Sequence, residues 1–295
     1  MQIFHRLIKF ARKPSHERRE KIRALARYYR RKSLDRLQDW GWGVPRLGND
    51  RTAYFIGVFG TGLTYLEREL LDNIGVRARY MRYGIHLQTR PTSMIYWGHA
   101  TIRYPFGPRC RPEVTSRIFE AVRARIADAF FVYRHPLDSF LTNWVWWQMF
   151  LRENRWVCGI SDVYKSNDDF CDDLERNFAD FKAFANGDPS FCGSSRGTVL
   201  SFRQFVEETE LFLQAPVFPV RFEDFFIDPL KEFAKIAQVM SVDLDLSRTQ
   251  VRPPKSKPYR FLAVREKVPQ FRDLIDGLDA ETRSRLEKIG YSVTA

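Results

Sequence analysis

Three short stretches of this chain carry residue types that suit a highly charged ligand. The first is Phe59-Gly60-Thr61-Gly62-Leu63-Thr64-Tyr65, after the apolar run Ala53–Val58 and ahead of a helical spacing at Leu66, Leu70 and Ile74. An apolar run of that length reads as a buried strand. Gly57, Gly60 and Gly62 permit a sharp turn and bring a ligand close to the main chain. The first N–H groups of the following helix, with its dipole, face the same spot. Thr61 and Thr64 add hydroxyls. An ATP-binding loop of the Walker type ends in Gly-Lys-Ser or Gly-Lys-Thr. Here Gly62-Leu63-Thr64 stands in that place, so the lysine and the magnesium ligand are missing. Taken alone, a strand-turn that holds no ligand explains the loop equally well.

The second stretch runs from Arg134-His135-Pro136 through Asp138 to Thr142. Arg134 closes the apolar run Ala129–Tyr133, and Asp138 suits a helix start. An arginine fork and a hydroxyl can hold one phosphate between them. The bland alternatives are a surface ion pair for Arg134 and, for Thr142, a hydroxyl bonded to its own helix. The third stretch is Arg221-Phe222-Glu223-Asp224, which ends the strand-like Val217–Arg221 and leads to Asp228-Pro229.

These stretches need a scaffold that gathers strand ends. Short apolar runs alternate with helical spacings: Ser93–Trp97 before Val114–Ile126, Ala129–Tyr133 before Leu137–Leu151, and Val217–Arg221 before Pro229–Met240, with a last helix over Ala280–Ile289. That alternation predicts an α/β fold with a central parallel sheet flanked by helices. Ligands in such sheets bind beyond the carboxyl ends of the strands. Phe59–Thr64 and Arg134–Thr142 therefore belong on one edge. Trp144, Trp146 and Trp147 make the helix after Arg134 unusually aromatic, which suits core packing and leaves room for an acceptor wall. Residues 154–198 read as helix plus a variable loop.

The 295 residues suffice for one large core. The formal charge is +12, and thirteen basic against three acidic residues fall within residues 1–36, so +10 belongs to this arm and about +2 to the rest. The division predicts a basic helical extension and linker over 1–50 and one nucleotide-binding domain over 51–295. Basic amphipathic helices lie on anionic lipid or pack on the body. Packing on the body through a narrow apolar stripe is the preferred reading of the arm, with an anionic membrane surface as the alternative partner and nucleic acid unlikely. The four cysteines form no CxxC pair and no histidine cluster shows zinc spacing, so no metal is expected. No leader and no run of about 18 apolar residues is visible, which points to a cytoplasmic, membrane-peripheral chain.

In their order, FGTGLTYL, VYRHPLDSFLT and PVRFEDFFIDPLKEFAKIA resemble the PAPS-dependent sulfotransferase superfamily, PAPS being 3′-phosphoadenosine 5′-phosphosulfate. The resemblance covers residues 53–290, with a poorly matched middle. It implies a P-loop-like sulfotransferase fold, with PAPS as co-substrate and adenosine 3′,5′-bisphosphate (PAP) as the nucleotide product. It also implies a hydroxyl or amine acceptor, here a glycan or lipid-linked glycan. Thr61, Gly62, Leu63 and Thr64 match the loop on the 5′-phosphosulfate. Tyr65 falls where some members place a tryptophan against adenine. Arg134 and Thr142 match the pair on the 3′-phosphate, and Phe222 stands where cytosolic members have a tyrosine beside adenine. Lys257, Arg260, Arg265 and Lys267 are candidates for the family's C-terminal basic segment. Gly60 falls where the family has its lysine or arginine, a loss that typically costs about 100- to 1,000-fold in rate. Arg68, Arg77, Arg79 and Arg82 are possible substitutes. An acceptor hydroxyl needs a general base. His99 resembles the family's histidine in placement, His86 is the second choice, and Glu67 and Glu69 remain open. For either histidine, a core position is the competing reading.

Overall fold

The computed structural model describes residues 52–66, 69, 78–80, 95–106, 110–153, 157, 159–188, 199–242, 254 and 258–293. Five strands form one sheet: β1 Thr52–Gly57, β2 Ala78–Tyr80, β3 Ile95–His99, β4 Ala127–Tyr133 and β5 Phe218–Arg221. Their order is β2-β3-β1-β4-β5, and all four neighbouring pairs run parallel. The helices are α1 Pro112–Arg123, α2 Pro136–Glu153, α3 Asn167–Arg176, α4 Phe178–Ala185, α5 Phe202–Leu213, α6 Asp224–Ile227, α7 Pro229–Val239, α8 Arg260–Lys267, α9 Pro269–Asp276 and α10 Ala280–Lys288. The chain is thus an α/β protein built on a central parallel sheet flanked by helices, as its alternation of apolar runs and helical spacings predicts.

The period-2 geometry of a strand divides the core in two. Tyr54, Ile56, Ala129 and Phe131 face one side, where they join Leu141 and Trp144 of α2, Phe205 of α5 and Phe261 of α8. Ala53, Phe55, Phe130 and Val132 face the other, with Leu63, Leu66, Phe222, Phe225 and Phe233. Phe55 and Phe130 stack across adjacent strands, centroids 4.5 Å apart. Cutting either to alanine would cost about 3–5 kcal/mol, the usual range for a buried phenylalanine. Strands buried on both faces are near-continuous in apolar residues, which is why they stand out in the sequence.

The helix starts have local causes. Ser166 with Asp169, and Ser201 with Gln204, form reciprocal capping boxes at α3 and α5. Asp228 caps α7, whose first turn carries Pro229. Asp279 accepts from the N–H of Thr282 at α10. Four helices escape the sequence reading, α6 being a single turn of four residues. In α5 the apolar stripe is broken by the buried carboxylates of Glu207, Glu208 and Glu210. Helices α8 and α9 are only eight residues each and are split by Pro269. The three residues of β2 are too short to show a period. The second strand also runs further than Ser93–Trp97 suggests, and ends on His99 itself.

Among the described residues no helix is long and apolar enough to cross a membrane. The basic arm and its linker lie outside the described residues.

Candidate functional site

The chain leaves β1 toward β2 and β3 on one side, and leaves β4 toward β5 on the other. In an open parallel sheet, such a reversal opens a crevice beyond the carboxyl ends of the two strands. Three predicted stretches emerge around it: the loop after β1, Arg134 after β4, and Phe222 after β5.

The loop is held by close packing. Gly60 (φ +78°) and Gly62 (φ +93°) lie in the left-handed region, where a side chain costs about 1–2 kcal/mol. A Cβ on Gly60 would meet the carbonyl oxygen of Ser139, in α2, at 2.4 Å. A Cβ on Gly62 would meet the Phe222 ring at 2.3 Å. Thr61 Oγ1 donates to the carbonyl of Val58 (3.0 Å). The N–H groups of Tyr65 and Leu66 donate to the Gly62 carbonyl, at 3.0 and 3.2 Å, and open a helical turn over 63–66. Leu63 and Tyr65 are buried, whereas Thr64 is exposed. None of the described loop residues is a cation, and the packing explains Gly60: a lysine there would need space that α2 occupies.

Phe222 joins all three stretches. Its ring lies on Gly62, meets Tyr65 edge-on at 5.6 Å, and lies 5.7 Å from the guanidinium carbon of Arg134. Its N–H donates to the carbonyl of Tyr133 (2.8 Å), which extends the β4–β5 pairing by one bond.

Arg134 is 5 % exposed. One of its terminal nitrogens lies 3.3 Å from Asp138 Oδ2, and Asp138 Oδ1 accepts from the N–H of Phe261 (2.9 Å). That second bond brings the start of α8, and Arg260 with it, toward Arg134. The Arg260 pKa is pushed down, first by burial and then by the positive charge of Arg134, with Asp138 opposing. Arg260 Nε is buried and makes no hydrogen bond among the described residues. The two buried guanidinium groups repel one another, and a bound anion between them would relieve that repulsion. Tyr259, just before α8, adopts φ +55°. Its ring packs edge-on to His135, and its hydroxyl accepts from Arg221 Nη2 (3.2 Å).

The remaining candidates are distributed unevenly. Thr142 Oγ1 donates to the carbonyl of Asp138 (2.9 Å), within its own helix. Its proton reaches a phosphate only if χ1 turns. Arg265 is held by Asp276 (2.8 Å) and by the carbonyl of Val293 (3.1 Å), and Lys267 is paired with Asp168. Arg68, His86, Glu67, Arg77, Arg82 and Lys257 lie outside the described residues, as does the side chain of Arg79. Glu69 is fully buried.

His99 ends β3 in register with Gly57 of β1, beside the loop. Its ring packs against Phe59 at a tilt of 36°, centroids 4.1 Å apart, and Phe59 also meets Phe106 (4.9 Å) and Trp146 (5.5 Å). Burial pulls the His99 pKa down to about 4, against the opposing pull of the Gly57 and Val58 carbonyls. The imidazole is therefore neutral at pH 7, and the same burial makes it a weaker proton acceptor than an exposed histidine. The segment after it is pinned by Glu208, which is fully buried. Glu208 accepts from Thr101 Oγ1 (2.8 Å) and from the N–H groups of Ile102 (2.7 Å), Arg103 (2.7 Å) and Tyr104 (2.5 Å). The sequence reading missed Glu208, because a glutamate that answers a nest of N–H groups over a hundred residues away leaves no local mark. It missed Asp138 as the bridge between Arg134 and the start of α8 for the same reason.

No protein-family model matches the chain, and no curated protein matches it. Among solved structures, a mouse sulfotransferase complexed with PAP aligns with a TM-score of 0.42 and 13 % identity, over 83 % of this chain and 84 % of that one. At that score the likeness carries no functional weight, and what the site does must come from the chain's own residues.

Proposed function

We propose that this chain is a sulfotransferase that binds PAPS across the β1–β4 crevice and moves its sulfuryl group to a hydroxyl or amine acceptor. One observation carries the reading. Phe222 touches Gly62, Tyr65 and the Arg134 guanidinium, so three stretches far apart in sequence meet where an α/β sheet binds its ligands.

The residues fit the nucleotide at its 3′ end. Arg134 and Arg260 are two cations that repel one another, and the buried Arg260 Nε is an unused donor. At the 5′ end the loop offers main-chain N–H groups, and Thr64 offers an exposed hydroxyl. PAPS would supply the activated sulfuryl group. For the chain's part, Arg134 with Arg260 would fix the 3′-phosphate and the loop would orient the other end. His99, neutral at pH 7, would take the acceptor's proton. Phe59 and Trp146 would keep water from the His99 ring. Glycans and lipid-linked glycans remain the proposed acceptor class.

A second reading has its own support: a protein of the same site that binds the nucleotide without turning it over. Gly60 favours it, since Ser139 leaves no room there for the cation that would balance the departing bridging oxygen. Incubation with sulfur-labelled PAPS and a panel of phenolic, glycan and lipid acceptors separates the two. The enzyme reading expects labelled product that disappears in Arg134→Ala. No product from any acceptor, with the nucleotide bound, leaves the binding protein.

A further inference from the structure

The residue after Arg134 and the residue after Phe222 are tied to each other and to the end of the chain. Glu223 is 4 % exposed. Its Oε1 accepts from the N–H of His135 (2.7 Å), the amide that follows Arg134. Its Oε2 accepts from the Tyr291 hydroxyl (2.9 Å). His135, also buried, uses both ring nitrogens. Nδ1 accepts from the N–H of Leu137 (3.2 Å), which makes Nε2 the donor to the carbonyl of Ser292 (3.0 Å). Arg221 lies over the Tyr291 ring at 4.8 Å, with its Nε 3.8 Å from Glu223 Oε2. The carbonyl of Val293 accepts from Arg265.

A carboxylate out of water is costly unless its oxygens are answered, and here two of the answers are hydrogen bonds from the turn that carries Arg134 and from the C-terminal segment. Burial raises the Glu223 pKa, while the bonds from His135 and Tyr291 oppose the rise. None of these groups needs to reach the ligand to affect it. Fixing the His135 amide fixes the peptide plane from which Arg134 departs, and fixing Glu223 fixes the neighbouring Phe222.

We propose that Glu223 is a positioning residue, and that with Tyr291 and Ser292 it forms a clamp which sets the angle of Arg134 toward the nucleotide's 3′-phosphate. The proposal rests on the nucleotide reading above. It adds that the C-terminal segment controls how well the site tells a 3′-phosphorylated nucleotide from one lacking that group.

The test is calorimetric binding of PAP and of adenosine 5′-phosphate to the full chain, its Tyr291→Phe, Glu223→Gln and Glu223→Ala variants, and Arg134→Ala. Tyr291→Phe keeps the ring and removes one bond to a buried charge, so it should weaken PAP about tenfold. Adenosine 5′-phosphate, which makes no call on Arg134, should bind as before. Glu223→Gln keeps an acceptor for His135 and should stay within about threefold of the parent. Glu223→Ala should lose the preference for PAP, as Arg134→Ala does. If Glu223→Ala does not fold, the other two variants still decide. An unchanged PAP preference in Tyr291→Phe, or an equal loss for both ligands, overturns the clamp. A parent that binds neither nucleotide overturns the nucleotide reading instead. In that case hydrogen exchange over residues 133–139 judges the clamp: faster exchange in Tyr291→Phe upholds it and unchanged exchange refutes it.

Discussion

His99 ends β3 beside the loop, in register with Gly57 and packed against Phe59. An imidazole that titrates at about 4 is neutral across the physiological range. The sign follows from the cause. Burial disfavours the charged form, so the base form persists until the pH falls well below the ordinary value of 6.5. A turnover profile that depends on His99 should therefore be flat from pH 7 to 5.5 and fall only toward pH 4. His99→Asn should cut turnover by about 100-fold or more while nucleotide affinity holds. An acid limb centred near pH 6.5, or an active His99→Asn, would remove His99 from the reaction. At this scale the sequence was informative about residue type and poor about partners. Arg134, Phe222 and Gly62 could be picked out as a set. That Thr142 would turn its hydroxyl to Asp138, and that Arg265 would face Asp276, depends on side-chain geometry that spacing does not encode.

The β1–α2 contact explains the element that looked most out of place. The loop after β1 packs so tightly on the first turn of α2 that Gly60 has the Ser139 carbonyl where its Cβ would be. Ser139 is backbone in a helix and cannot swing aside. Gly60→Ala should thus cost roughly 2–3 kcal/mol, from the left-handed φ and the clash together. For a chain of this size that is a drop of about 4–12 °C in melting temperature. Gly60→Lys should be worse, and should not raise turnover. A Gly60→Lys protein that melts like the parent and turns over faster would show that the loop has slack. The strands were legible because both their faces are buried and their apolar runs are continuous. Helices α5, α8 and α9 were not: buried glutamates interrupt the stripe of α5, and a proline divides the other two. The three residues of β2 carry no period at all.

Across the whole molecule, the sheet brings three stretches to one edge from residues 59–65, 134–142 and 221–224. A parallel sheet whose order reverses beside its first strand needs only this to make a crevice. The sequence predicted that shared edge. It did not reveal that Asp138 would tie Arg134 to the start of α8, or that residues 291–293 would close on the turn carrying Arg134. Both are contacts between distant segments, which no local spacing encodes. The central claim is that this crevice grips a bisphosphorylated nucleotide at both ends. Titration calorimetry with PAP against the parent and Arg134→Ala tests it most directly. The account predicts one-site binding to the parent and a loss of about 10- to 100-fold on removing the guanidinium. No binding by the folded parent, or equal affinity in the two proteins, would contradict it.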